Sequence, residues 1–172
     1  MTEAATRVDV RVTVNGRERM ATVDARRTLA ELLREDLSLT GTHIGCEHGV
    51  CGSCTVLIDG ASARSCLTLA ARVEGATVVT IEGLAGSSGG SVGGPHGMSP
   101  LQQACLEQHS FQCGFCTPGI LMVATELLAE NPEPSEAEVR EAISGNLCRC
   151  TGYDSIVAGI LRAAAVQSGS GS

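Results

Sequence analysis

Cysteine constrains this chain more than any other feature: nine occur in 172 residues, against no Trp, one Tyr and two Phe. They fall into two sets, Cys46, Cys51, Cys54 and Cys66, then Cys113, Cys116, Cys148 and Cys150, with Cys105 left over. So many thiols must be oxidised, metal-bound or buried. A disulfide framework favours secreted chains with an even number of cysteines. Here the number is odd, and the N-terminal region runs straight into alternating valines with no apolar signal-peptide core. The expectation is a reducing, cytoplasmic compartment with thiolates held on metal. No stretch reaches the roughly 18 consecutive apolar residues of a spanning helix.

Composition narrows the partners. The formal net charge of −7 argues against duplex nucleic acid or an anionic membrane surface. The scarcity of aromatic side chains removes the stacking platforms that bind single strands. With 43% hydrophobic residues the chain can still bury a core.

Val8, Val10, Val12 and Val14 alternate with polar residues, which predicts a half-buried strand. Asn15-Gly16 then predicts a hairpin turn into a returning strand, Arg17 to Val23. Thr28 is placed to cap a helix over Leu29–Glu35. A glycine-rich loop from Thr40 to Cys54 follows, then a hairpin turning at Asp59-Gly60 and a strand over Thr77–Ile81. Composition shifts at 85–98, a Gly/Ser-rich linker that predicts a boundary between domains at 1–84 and 99–167. Beyond it the pattern is helical. Ser99-Pro100 and Thr117-Pro118 read as helix starts, Ser135 with Glu138 as a capping box over Glu136–Ile143, and Asp154–Val166 as the fourth helix. The residues 168–172 form a Ser/Gly tail. The fold class is α+β: a small sheet with one packed helix, followed by a compact four-helix bundle.

The spacing Cys46-x4-Cys51-x2-Cys54, with Cys66 beyond, matches the plant-type ferredoxin pattern for a 2Fe-2S cluster. Gly45, Gly49 and Gly52 interleave with these cysteines, so backbone N–H groups can approach sulfur unhindered. A structural four-thiolate zinc site is the alternative, although zinc sites favour two paired units over a run of three. The second set, Cys113-x2-Cys116 and Cys148-x-Cys150, is less specific. A second cluster, a zinc site and a thioredoxin-like pair at Cys113/Cys116 all stay open, the last lacking a βαβ context. Helix N-termini near both pairs would favour thiolates, and Arg149 could offset cluster charge. Cys105, on the first predicted helix of the second half, reads as a small buried hydrophobe. His43, His48, His96 and His109 show no metal-ligand spacing.

Taken together, Gly45-Cys46-Glu47-His48-Gly49-Val50-Cys51-Gly52-Ser53-Cys54, Arg64-Ser65-Cys66-Leu67, Gln112-Cys113-Gly114-Phe115-Cys116-Thr117-Pro118-Gly119 and Gly145-Asn146-Leu147-Cys148-Arg149-Cys150-Thr151-Gly152-Tyr153 resemble one family. It is the small iron–sulfur subunit of the molybdenum hydroxylases, the xanthine dehydrogenase and aerobic carbon monoxide dehydrogenase family. The resemblance covers about residues 7–166. It implies a β-grasp, ferredoxin-like N-terminal domain and a four-helix C-terminal domain, each with one 2Fe-2S cluster. The ligands would be Cys46, Cys51, Cys54 and Cys66, and Cys113, Cys116, Cys148 and Cys150. It implies further that Gln112 hydrogen-bonds a molybdopterin on a large subunit and that Cys150 lies beside it. Electrons would pass through both clusters to FAD on a medium subunit, in a dimer of heterotrimers. A linker longer than usual and Cys105 depart from the family pattern. A free-standing two-cluster ferredoxin is the alternative function, and a zinc-stapled interaction module a third.

Overall fold

The computed structural model describes residues 6–85 and 97–169. Most of the predicted linker and the end of the tail lie outside them. The alternating valines form strand β1 (Arg7–Val14), antiparallel to β2 (Arg17–Asp24) across a turn in which Asn15 and Gly16 hold φ of 51° and 74°. Positive φ at both positions gives the primed turn whose twist matches its strands. Three shorter strands complete a mixed sheet: β3 (Thr55–Ile58), β4 (Ala61–Arg64) and β5 (Thr77–Val79), in the order β2-β1-β5-β3-β4. β5 runs parallel to β1 and antiparallel to β3.

Val10, Val12, Val14, Val23, Val56 and Val78 face Leu29, Leu32 and Leu33 on one side of this sheet. The helix that supplies those leucines begins as predicted, with a Thr28/Glu31 capping box at α1 (Leu29–Glu31). It does not continue as an α-helix to Glu35. It widens into a π-turn over Leu32–Asp36, closed by Leu37 N–H donating to Leu32 O at 3.0 Å. Single π-turns occur inside α-helices mostly at functional sites. Here the turn leaves Leu32 and Leu33 buried together, while Arg34 reaches the carbonyls of Thr40 and Thr42 at 2.7 and 2.8 Å. The glycine-rich cysteine loop thus starts from a fixed point.

The strand predicted over Thr77–Ile81 stops at Val79. Thr80 opens a short helix, α2 (Ile81–Leu84), because its backbone N–H and hydroxyl are taken by Asn15 and Glu82 instead of a neighbouring strand. A 3-10 turn at Ala70–Val73, which the sequence did not announce, packs Ala70 and Val73 beneath the first core.

The second half contains α3 (Pro100–Glu107), α4 (Thr117–Glu130), α5 (Glu136–Ile143) and α6 (Asp154–Gln167). Ser99 and Ser135 cap α3 and α5 through capping boxes with Gln102 and Glu138. Thr117 does not cap α4. Cys116 is the cap residue, and the Thr117 hydroxyl is buried with no hydrogen-bond partner among the described residues. Ile120, Met122, Ala124, Val139, Ile156 and Ile160 form the centre of the helical core.

The two halves meet across the sheet. Successive residues of a strand face opposite sides, so Val56 enters the first core while Leu57 joins the helical core. Truncating Leu57 to Ala should cost about 2–5 kcal/mol, the usual range for a buried leucine. Because Leu57 lies on β3 and packs into the helical core, urea unfolding followed by hydrogen exchange should show amides of β3 and of α4 weakened together.

Candidate metal centres

The first cysteine loop is wound by backbone curvature. Glu47, Gly49 and Gly52 take φ of 57°, 82° and 73°, which turns the chain back on itself between Cys46 and Cys54. Cys51 N–H consequently points at Cys46 Sγ, 3.4 Å away. The Cys46 thiol is lowered to about 6, chiefly by that N–H and then by the N–H of His48, with the Cys51 thiol and Val50 N–H assisting against a smaller opposing effect of burial. Cys54 and Cys66 are buried beside Ala30 and Ile44. Cys66 is pushed up to about 11, first by burial and then by its hydrogen bond with Cys54.

The second set is split between a helix start and a loop. Cys113 and Cys150 are exposed, with their sulfurs 3.6 Å apart. Cys116, buried at the start of α4, is pushed up to about 12 by burial and then by its hydrogen bond with Cys148. In Cys148 burial opposes ionisation, but the Thr151 hydroxyl at 3.2 Å and the N–H groups of Cys150 and Thr151 outweigh it and lower the thiol. The Cys113 thiol is lowered by the Phe115 N–H and then by Cys150. Cys150 is raised by its hydrogen bond with Cys113.

These contacts sort the eight thiols into pairs: Cys46 with Cys51, Cys54 with Cys66, Cys113 with Cys150, and Cys116 with Cys148. Within a pair, one sulfur retains its proton to bond the other. A metal ion would displace that proton, because thiolate is the ligand form. Two thiolates on one tetrahedral ion, with bonds of about 2.3 Å, stand about 3.8 Å apart, and the Cys113–Cys150 separation fits that edge. Among the described residues no three His, Cys, Asp or Glu side chains gather around a single ion position. Two pairs facing one another suit a binuclear centre with one pair on each iron.

The loop carrying Cys148 and Cys150 is closed by Tyr153, whose φ of 72° starts α6. Its hydroxyl accepts from Cys148 N–H at 2.8 Å and donates to Asn146 O at 3.2 Å. The two cysteine loops also touch. Leu147 N–H donates to Cys51 O at 2.8 Å, and the His43 ring stacks on Phe115 with centroids 5.0 Å apart. Gly52 permits this approach: a Cβ there would lie 2.6 Å from Gly145 O.

Cys105 is buried on α3 against Gly159 of α6, and burial pushes its thiol up to about 11. Gln112, which precedes Cys113, and Arg149, between Cys148 and Cys150, are exposed. His48 bonds the Cys46 carbonyl within its own loop. The spacing rules did not single out Arg64, Phe115, Asn146 or Tyr153. Their trace in the sequence is a place within three residues of a cysteine, inside the segments that carry the family resemblance.

Comparison with known proteins agrees with this geometry. Residues 12–78 match the family described as a 2Fe-2S iron-sulfur cluster binding domain, and residues 80–161 match a [2Fe-2S] binding domain. The nicotine 6-hydroxylase small subunit of Paenarthrobacter nicotinovorans is 56% identical over 91% of this chain and 90% of its own length. The caffeine dehydrogenase subunit gamma of Pseudomonas sp. (strain CBB1) is 52% identical, over 86% of each chain. A chain in the crystal structure of quinoline 2-oxidoreductase from Pseudomonas putida 86 superposes with a TM-score of 0.84 at 50% identity, covering 95% of this chain and 98% of that one. The chain belongs to the small iron–sulfur subunits of the molybdenum hydroxylases.

A ferredoxin-like half and a helical half therefore each carry a 2Fe-2S-binding domain, the first as its cysteine spacing indicated and the second as the family resemblance implied. These small subunits have relatives in oxidoreductase complexes that are themselves called hydroxylases and dehydrogenases. Among the described residues no helix is long and apolar enough to cross a membrane.

The thiol asymmetry is open to measurement on the iron-free chain. With its thiol near 6, Cys46 is roughly nine-tenths thiolate at pH 7 and reacts first with iodoacetamide. Its rate should fall to about half as pH drops through 6, since protonation removes the nucleophile. Cys66, Cys105 and Cys116 should stay unlabelled on the same timescale, as read by peptide mass spectrometry.

Proposed function

We propose that this chain is the electron-transfer subunit of a molybdenum hydroxylase complex. It would lie between a molybdopterin on a large subunit and FAD on a medium subunit, in a cytoplasmic dimer of heterotrimers. A 2Fe-2S cluster, when bound, supplies a one-electron carrier. The protein's part is to hold, space and insulate the carriers, and it performs no bond chemistry itself.

Cys46 and Cys51 would hold one iron of the first cluster, with Cys54 and Cys66 on the other. Cys113 and Cys150, then Cys116 and Cys148, would do the same for the second. The observation that carries the reading is the junction between the sets. Cys51 and Cys148 are joined by a short run of covalent bonds and the single hydrogen bond from Leu147 N–H to Cys51 O. Two redox sites built separately would have no need of such contact.

Burial gives the arrangement its direction. Cys113 and Cys150 are exposed, next to exposed Gln112, so this edge would face the pterin and Gln112 would hydrogen-bond it. Around the first loop, Val50, Leu67, Leu147 and Phe115 are 70%, 61%, 57% and 47% exposed. Large apolar side chains grouped beside a redox site favour a face that a partner subunit covers, and they favour it over a free-standing ferredoxin. The β-grasp and four-helix-bundle descriptions, and the domain limits 1–84 and 99–167 about a linker at 85–98, belong to the same reading.

Anaerobic purification should yield about four irons and four labile sulfides per chain, and stoichiometric zinc in a colourless protein would remove the proposal. Replacing Cys113 or Cys148 with Ser should leave about two irons and one EPR signal. Cys105→Ala should leave both signals intact. Co-purified larger chains carrying FAD and molybdopterin would separate the complex from a shuttle.

A further inference from the structure

One buried carboxamide stands between the two thiol sets. Asn146 is 1% exposed, and its Nδ2 donates to Gly52 O at 3.0 Å and lies 3.5 Å from Thr55 Oγ1. Its Oδ1 accepts from Arg64 at 3.4 Å, and the same guanidinium nitrogen reaches Gly145 O at 2.7 Å. Asn146 thus grips the residue after Cys51 on one side. On the other it lies in the turn whose next residue, Leu147, bonds Cys51 O and precedes Cys148. Gly119 on α4 closes the site from below: a Cβ there would overlap Gly52 O and lie 2.8 Å from Asn146 Nδ2.

We propose that Asn146, backed by Arg64, is a positioning residue that sets the separation and electronic coupling of the two iron–sulfur sites. This inference rests on both sites being loaded, as the proposed function requires. The chemistry calls for an amide. Gly52 O already accepts from Thr55 N–H at 3.1 Å and from Thr55 Oγ1 at 2.6 Å, so Asn146 Nδ2 adds the one donor that comes from the second cysteine loop, while its Oδ1 accepts from Arg64; a carboxamide offers one group of each kind. Aspartate would set a carboxylate against Gly52 O. Leucine would fill the space and remove the hydrogen bonds that tie this turn to Gly52 and Arg64. Either change loosens the contact that holds Leu147 N–H on Cys51 O without touching a cysteine. A residue that only glued the halves together would alter stability and leave the relation between the two centres as it was.

The test uses the iron-loaded full chain, native and as Asn146→Asp, Asn146→Leu and Gly119→Ala. The last variant forces the loops apart while keeping every polar group. Iron is assayed first. Then the dithionite-reduced proteins are compared by low-temperature EPR for magnetic splitting between the two centres, and by rapid kinetics for the rate of electron exchange between them. The expected result is full iron and both signals, a reduced splitting, and a slower exchange rate.

Full iron with unchanged splitting and rate in Asn146→Leu and Gly119→Ala overturns the proposal. Loss of one cluster in every variant also overturns it, by making Asn146 part of that cluster's own site. Should the Asn146 variants fail to fold, Gly119→Ala and Arg64→Met decide the matter by the same readouts. A native chain without iron overturns the proposed function instead, and that outcome is visible before any variant is made.

Discussion

Thiol pairing is the constraint on which the rest of the structure depends. Two sulfurs within hydrogen-bonding distance cannot both ionise unless something offsets their repulsion. In the first loop the offset begins with backbone N–H groups aimed at Cys46. In the second it comes from N–H groups and the Thr151 hydroxyl at Cys148. Directing that many N–H groups at sulfur leaves no room for regular secondary structure, so the cysteines lie in loops or, for Cys116, at the cap of a helix. Those loops must then be held from outside. Arg34 anchors the start of the first, and the hydroxyl of Tyr153 closes the second.

The two halves are one structure at the sites. β3 serves both: Val56 fills the core under the sheet, and Leu57 fills the helical core. Thr55, on the same face as Leu57, carries this junction to the cysteine loops through its contacts with Arg64 and Asn146. A strand shared in this way transmits any shift of the helices to the residue after Cys54. Packing outside the loops thus acts on their spacing together with the hydrogen bond from Asn146 to Gly52.

Much of this was legible in the sequence because it rests on local rules. The valine alternation of β1, the Asn15-Gly16 turn and the Ser99 and Ser135 caps all formed where their chemistry indicated. The spacing of the first four cysteines pointed to one 2Fe-2S site, and the family resemblance implied the second. Local rules failed at three places. Thr80 left the sheet as the distant Asn15 took its N–H, Thr117 yielded the capping position to its neighbour Cys116, and the predicted helix after Leu29 widened into a π-turn.

Sequence alone determined the type of ligand, the number of thiols and the backbone freedom needed to wrap them, since residue identity and spacing encode these properties directly. It also set which segments would be strand and which helix, through the period of their apolar residues. Only the tertiary structure decided which cysteine faces which, since Cys113 and Cys150 are far apart in the chain yet 3.6 Å apart in space. The same holds for the junction of Gly52, Asn146 and Arg64. Hydrogen bonds between groups more than eighty residues apart have no periodicity or spacing to announce them, and they exist only once both cores have packed against β3.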